Sequence, residues 1–251
     1  MCGTALNRPL PHSEYSQPAM PDTERPDVTV LVPALNEQDT IAEVIERLLA
    51  LPLRTEIIVI DDGSTDRTPE ILDAYGDKIK VLRNKQKSGK GNAIRQALPF
   101  ATGKAVVIQD ADLEYAPEEL PRLIQPILDD KANVVFGTRF AVGLPKGMAL
   151  PNKIVNVMLA WSVRGLFFTR ITDEATCYKA FRTDILKRMN LECERFEFCP
   201  EVTAKSIRLG EKILEVPISY VPRTKEAGKK IRWTDAPEAF WTLFKHRFKK
   251  F

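Results

Sequence analysis

The chain has 251 residues, of which 44% are hydrophobic and 28% charged, a composition that excludes a disulfide-stapled mini-protein, a disordered chain and a fibrous repeat. Lys and Arg number 37 against 34 Asp and Glu, and a formal net charge of only +3 argues against a whole-protein nucleic-acid binder. The two histidines, His12 and His246, stand near opposite ends, so neither a Ser-His-Asp triad nor a histidine-built metal site is expected.

Residues 1–27 hold five of the 18 prolines and no apolar periodicity, which predicts a flexible leader with order beginning at Asp27 or Val28. The leader lacks the apolar core of a signal peptide, and Met1-Cys2-Gly3 fails the myristoylation pattern. From there short apolar runs alternate with helical patterns: strands over residues 28–32, 56–60, 79–82, 105–108 and 133–136, and helices over 40–51, 69–75, 92–98 and 117–128. That rhythm predicts an α/β fold with a mostly parallel sheet and helices on both faces. Thr40-Ile-Ala-Glu43 fits a capping box, and Thr68-Pro69 sets proline at the first helical position.

The pattern changes after Phe136. Residues 151–168 predict a helix with a narrow polar stripe of Lys153, Asn156 and Arg164, a helix either mostly buried or lying in a lipid interface. A strand near 178–181, a helix near 200–209, a strand over 213–220 and an amphipathic helix from about Ala236 follow. Cys2, Cys177, Cys193 and Cys199 show no C-x-x-C spacing and read as reduced thiols. With no run of 18 apolar residues, the chain is not expected to span a membrane.

The chemistry sits at strand ends, where open α/β sheets bind their ligands. One predicted strand runs into Asp61-Asp62-Gly63 and another into Asp110-Ala-Asp112, followed by Glu114. Two carboxylates one residue apart suit a hard divalent cation, although Asp-x-Asp alone is also common in solvated loops. Residues 85–91, rich in Lys and Gly and leading into a helix, predict a loop whose backbone amides and helix N-terminus cradle phosphate; a solvated basic turn is the alternative.

Taken in order, VTVLVPALNEQDTIAEVIERLL, EIIVIDDGSTDRTPEIL, GKGNAIRQAL, VVIQDADLEYAPEELPRLI and VVFGTRF resemble the family 2 glycosyltransferases of GT-A fold, and most closely the dolichyl-phosphate mannose synthase branch with its bacterial polyprenyl-phosphate relatives. The resemblance implies a GT-A catalytic domain over residues 28–222, with 223–251 as a basic active-site loop and C-terminal helix. By position it implies that Pro33, Leu35, Asn36, Glu37, Asp61, Asp62, Lys90 and Asp110 bind the nucleotide sugar. It also implies that Asp110, Asp112 and Glu114 hold Mg²⁺ or Mn²⁺, and that Asp112, Arg139, Arg223 and Lys229 serve transfer, the last two meeting the phosphates. The activity implied is inverting, metal-dependent transfer of a hexose from a GDP- or UDP-sugar to a polyprenyl phosphate. Such an acceptor arrives ionised and needs no general base. A sugar or other hydroxyl acceptor would need one, and Asp173 or Glu201 would be the candidate. A nucleotidyltransferase is disfavoured because LVPALNE lacks a glycine-rich first loop, and a non-catalytic nucleotide-sugar-binding subunit because the acidic pair is intact.

The small net charge hides an asymmetry, since residues 223–251 carry nine Lys or Arg against three Asp or Glu. With Trp241, Phe244 and Phe248 set among those cations, the tail reads either as a segment docking on an anionic membrane, or on a membrane subunit, or as a helix packing its aromatics on the body. The implied setting is the cytoplasm, peripheral to the cytoplasmic membrane face, with no nucleic-acid partner.

Overall fold

A computed structural model describes residues 24–141, 143, 147–222 and 236–250. Seven strands form one sheet: β1 (Val28–Ala34), β2 (Thr55–Asp61), β3 (Lys80–Arg83), β4 (Ala105–Ile108), β5 (Val134–Thr138), β6 (Lys179–Arg182) and β7 (Ile213–Pro217). Their order is β3-β2-β1-β4-β6-β5-β7, with β6 antiparallel to both neighbours and every other pairing parallel. The chain works outward from β1 to β3, then crosses back to lay β4 on the other side of β1. That reversal opens a crevice beyond the carboxyl ends of β1, β2 and β4.

Alternation along β1 sends Val28, Val30 and Val32 into one core and Leu31 into the other. The first core is closed by α1 (Ile41–Leu49), α2 (Thr68–Asp73) and α4 (Leu120–Leu128), the second by α3 (Lys90–Ala97), α6 (Thr183–Arg188) and α7 (Phe198–Arg208). A smaller third cluster, with Leu159, Val163, Ala204 and Leu243, joins α5 (Leu150–Phe167) and α8 (Ala236–Phe248) to α7.

Several expectations change. Ordered backbone starts before Asp27, because the Arg25 guanidinium donates to the Thr102 and Gly103 carbonyls at 2.8 and 2.9 Å. Helix α6 was not foreseen, since a six-residue helix offers too few turns for periodicity. The capping box is absent: Thr40 makes no side-chain cap bond, and its hydroxyl instead donates to the Ala111 carbonyl at 2.7 Å. Glu43, its supposed partner, pairs with Arg47 at 3.2 Å. A local cap is thus exchanged for a bond between α1 and the Asp110–Asp112 turn.

The polar stripe of α5 is inverted at Asn156 alone. Asn156 is buried at the inner face and Arg164 is exposed, as are Leu150, Ile154, Met158 and Trp161, Trp161 by 68%. On α8 Phe240 packs on the body but Trp241 and Phe248 do not, being 63% and 64% exposed, and Thr242, Leu243 and His246 face inward. No helix among the described residues is long and apolar enough to cross a membrane.

Replacing Thr40 by Val, which keeps the shape and removes the hydroxyl, should cost about 1 kcal/mol in urea unfolding by leaving Ala111 without that donor. Unchanged stability would show that the α1–turn bond contributes nothing.

Candidate active site

The first feature of the crevice is a clamp. Asp62, just past β2, accepts hydrogen bonds from Asn84 Nδ2 (2.8 Å), Ser88 Oγ (2.6 Å), Ser88 N (2.9 Å) and Gly89 N (2.8 Å). Burial pushes its pKa up, but these bonds outweigh burial and the net shift is downward. Gly89 can take part because its φ of +101° costs glycine nothing, and because a Cβ there would lie 2.3 Å from the Glu194 carbonyl.

This geometry corrects the phosphate-cradle expectation. The Ser88 and Gly89 amides are spent on Asp62, and those of Gly91 and Asn92 donate to Arg195 O (2.9 Å) and Glu194 O (3.0 Å). Lys87, Ser88 and Gly89 of the loop line the cleft together with Lys90, whose ammonium lies 2.5 Å from Asp110 Oδ1 and 3.4 Å from Cys177 Sγ. Desolvation disfavours the Lys90 charge, but the Asp110 carboxylate overcomes it and holds the pKa above the usual lysine value.

Around this pair lies a cleft of about 680 Å³ lined by Pro33, Leu35, Glu37, Asp62, Lys90, Asp110, Asp112 and Glu114. Eight of the sequence-predicted residues therefore converge there. Asn36, which is exposed, and Asp61, which is buried, are not among the lining residues: Asn36 Oδ1 accepts the Thr65 amide at 2.8 Å, and Asp61 Oδ1 the Ser64 amide at 2.9 Å. Asp112 Oδ1 accepts the Glu114 amide at 3.1 Å, while Glu114 Oε1 accepts from Tyr220 Oη at 3.3 Å. Among the described residues no three His, Cys, Asp or Glu side chains converge as a metal cage. Asp110, Asp112 and Glu114, the expected metal-binding residues, all line the cleft, Glu114 with one oxygen taken by Tyr220. Asp110 and Asp112 remain oxygen donors on one turn.

A second cavity, of about 130 Å³, adjoins the first through Lys90, Glu114 and Phe196. Its apolar wall includes Met148, Val155, Leu159 and Phe198, and Arg139 stands in it. Asp173 accepts from Arg139 Nε and Nη2, both at 2.7 Å, and from the Arg139 amide at 2.9 Å; Asn156 Oδ1 accepts from Nη2 at 2.8 Å. Both partners of this pair are buried, and Tyr220 stacks on the guanidinium at 5.0 Å. Asp173 is therefore committed to Arg139 and is corrected from acceptor-side base to anchor. Glu201 is corrected too: it lines neither cavity and is buried on the first turn of α7, paired with Lys205 at 2.6 Å and accepting the Glu192 and Cys193 amides, each at 2.8 Å. Arg223 and Lys229 lie outside the described residues.

Sequence reasoning missed Tyr115, Asn156, Glu174, Arg195 and Tyr220. Long-range pairing puts them here, and the one available signal was a buried-type Asn inside an otherwise apolar helix. Glu174 lines the second cavity with its Oε2 unpartnered among the described residues. Burial, opposed by Lys179, raises its pKa from 4.5 to about 7. Above pH 4.5 the unfolded chain loses this proton while the folded chain keeps it to about 7, so the group removes stability as pH rises through that window. Glu174→Gln should therefore gain several degrees of melting temperature on the wild type between pH 5 and pH 8. A difference independent of pH would place the charge elsewhere.

The glycosyl transferase family 2 profile matches residues 29–189. The undecaprenyl-phosphate mannosyltransferase of Micrococcus luteus is 29% identical over 211 residues, covering 78% of this chain and 84% of the relative. The polyprenol monophosphomannose synthase of Mycolicibacterium smegmatis is 28% identical over 244 residues, 89% and 90% of the two chains. Among solved structures, glucosyl-3-phosphoglycerate synthase from Mycobacterium tuberculosis, in complex with Mn²⁺, UDP-glucose and phosphoglyceric acid, superposes with a TM-score of 0.69 at 23% identity, over 90% of this chain and 80% of that one. At that identity the structural likeness is one of fold.

Proposed function

The chain belongs to glycosyl transferase family 2, and from that premise we propose that it moves a hexose of the mannose or glucose type from a GDP- or UDP-sugar to the phosphate of a polyprenyl phosphate. The observation that carries this reading is the junction of the two cavities: an acidic, lysine-bearing cleft opens into an apolar pocket containing a buried arginine. A nucleotide sugar matches the first, and a phosphate on a hydrocarbon tail matches the second. The names of the bacterial polyprenyl-phosphate relatives point the same way.

In this reading Pro33, Leu35, Glu37 and the Asp62-held loop border the nucleotide. Asp110 and Asp112 offer the hard oxygen donors that Mg²⁺ or Mn²⁺ prefers, the ions present with UDP in the glucosyl-3-phosphoglycerate synthase complexes. Bound there, such an ion would neutralise the departing diphosphate. Lys90 adds a fixed positive charge beside Asp110. Arg139, held rigid by Asp173 and Asn156, presents its guanidinium to the acceptor phosphate, with Arg223 and Lys229 as further cations from the basic segment after residue 222. The ionised phosphate oxygen attacks the anomeric carbon, the new C–O bond forms on the face opposite the departing diphosphate, and the configuration inverts. No proton needs removing, which agrees with Asp173 and Glu201 being bound up elsewhere. We take residues 28–222 as the catalytic domain.

The exposed apolar rows of α5 and α8 extend the reading to a membrane surface. Asn152, Val155 and Asn156 of α5 line the acceptor-side cavity while Leu150, Ile154, Met158 and Trp161 face outward beside it. The Lys245, Arg247, Lys249 and Lys250 side chains of the tail supply charge suited to anionic headgroups, on the cytoplasmic side where the donors are made.

Incubation with GDP- and UDP-sugars, a short polyprenyl phosphate and Mn²⁺ should yield a lipid-linked hexose, and Asp112→Ala should lower that yield roughly 100-fold or more while its circular dichroism stays native. Full activity in the variant would remove Asp112 from the site. In sedimentation with anionic vesicles, the double change Trp161→Ser and Trp241→Ser should weaken binding about 10-fold. Absence of wild-type binding even at low salt would end the membrane part of the reading.

A further inference from the structure

Cys177 and Cys199 play no part in the transfer chemistry, yet they meet on the wall shared with Lys90. Cys177 lies just before β6, and Cys199 is the second residue of α7. Lys90 Nζ donates to Cys177 Sγ at 3.4 Å, and the Cys199 thiol donates to the carbonyl of Thr176, the residue before Cys177, at 3.4 Å. That contact sets the Cys199 sulfur beside the Cys177 backbone, with Lys90 on the other thiol. Both sulfurs line the 130 Å³ cavity, which has room for a molecule of peroxide size.

We propose that Cys177 and Cys199 form an oxidisable thiol pair: a hydroperoxide reaching the cavity converts them to a disulfide, which withdraws the Cys177 sulfur from Lys90. Cys199 is the attacking sulfur. It sits in the first turn of an 11-residue helix, whose N-terminal dipole favours the thiolate. The neighbouring Cys177 thiol lowers the Cys199 pKa against the cost of burial, and Lys179 and Lys90 lower it further. Cys199, together with burial, holds Cys177 up as the protonated partner. Cys193, by contrast, is buried at Glu201, on neither cavity wall, and its pKa is pushed up by burial.

The Cys199 thiolate attacks one oxygen of the O–O bond; an S–O bond forms and the other oxygen leaves as an alcohol or water after taking a proton. The Cys177 sulfur then attacks the sulfenic sulfur, the S–S bond forms, and hydroxide departs with the Cys177 proton as water. Two thiols lose two electrons and the hydroperoxide gains them. With Cys199 Sγ held at the carbonyl of the residue before Cys177 and both side chains on one cavity wall, the two sulfurs come together by side-chain rotation. Once both sulfurs are bonded, Lys90 loses its second partner, and the ammonium that borders Asp110 is less firmly held. The consequence for catalysis rests on the transfer reading above; the disulfide itself does not.

The test is to treat the full chain with hydrogen peroxide and map peptides by mass. The expected result is a Cys177–Cys199 link in the wild type and in Cys193→Ser, reversed by dithiothreitol, and no such link in Cys199→Ser or Cys177→Ser. Transfer relative to each protein's own untreated rate should fall about 10-fold in the wild type and return on reduction, whereas Cys199→Ser should show no reversible loss. A link to Cys2 or Cys193 instead, or both sulfurs remaining as thiols after peroxide has consumed an added model thiol, overturns the proposal. Linkage without loss of transfer overturns the Lys90 consequence. A chain that links these cysteines but transfers no sugar from any donor upholds the thiol pair and overturns the transfer reading.

Discussion

A carboxylate that holds a whole loop in place organises this site. Asp62 takes four hydrogen bonds from one loop, and the loop, thereby closed on itself, brings the side chain at its end into the crevice beside Lys87. That side chain, Lys90, meets Asp110 from across the β2 and β4 strand ends. The pairing brings a cation to a turn that would otherwise concentrate like charge in a half-buried place, where repulsion is poorly screened. Remove the clamp and the turn has carboxylates without a fixed counter-charge; keep it and the same turn is a stable, acidic, partly neutralised edge suited to a diphosphate.

The acceptor side obeys the same rule at greater depth. Burying Arg139 and Asp173 together costs desolvation that Coulomb attraction alone does not repay. Two bonds between guanidinium and carboxylate, a third from the Arg139 amide and a fourth to Asn156 satisfy the polar atoms and make the arrangement tenable. Rigidity follows, since a guanidinium held on one edge and covered by Tyr220 has few other positions to adopt. Asn156 therefore explains the inversion of α5 at its own position. Its amide is required inside, whereas Arg164 of the same stripe stays exposed and leucine, isoleucine, methionine and tryptophan lie outside.

That inversion changes the meaning of the overall charge. The sum of +3 describes a nearly neutral protein, but its terminal segment is basic and its neighbouring helices show apolar rows. Exposed aromatics on α8 stack on one another, Phe244 on Phe248 with ring centroids 4.9 Å apart and Trp241 on Phe244 at 5.9 Å, rather than on the core. Such surfaces are unusual for a chain that meets only water.

The succession of strands and helices, the acidic strand ends and the family were legible in the sequence because they depend on short-range regularities: short apolar runs, proline and glycine punctuation, and fixed motif spacing. Val28, Ala105 and Ile108 begin or end strands where the apolar runs begin or end. Roles that depend on a partner more than about 20 residues away were not legible. Thr40 forsook its own helix for Ala111, Asp173 was claimed by Arg139, and the loop amides by Asp62, Glu194 and Arg195. The sequence by itself determined which residue types stand at the strand ends, and so the class of chemistry available. Only the tertiary structure decided which of those groups face the crevice and which are consumed in building it, because a buried polar atom takes the partner that packing brings within 3 Å, and packing is not written in spacing.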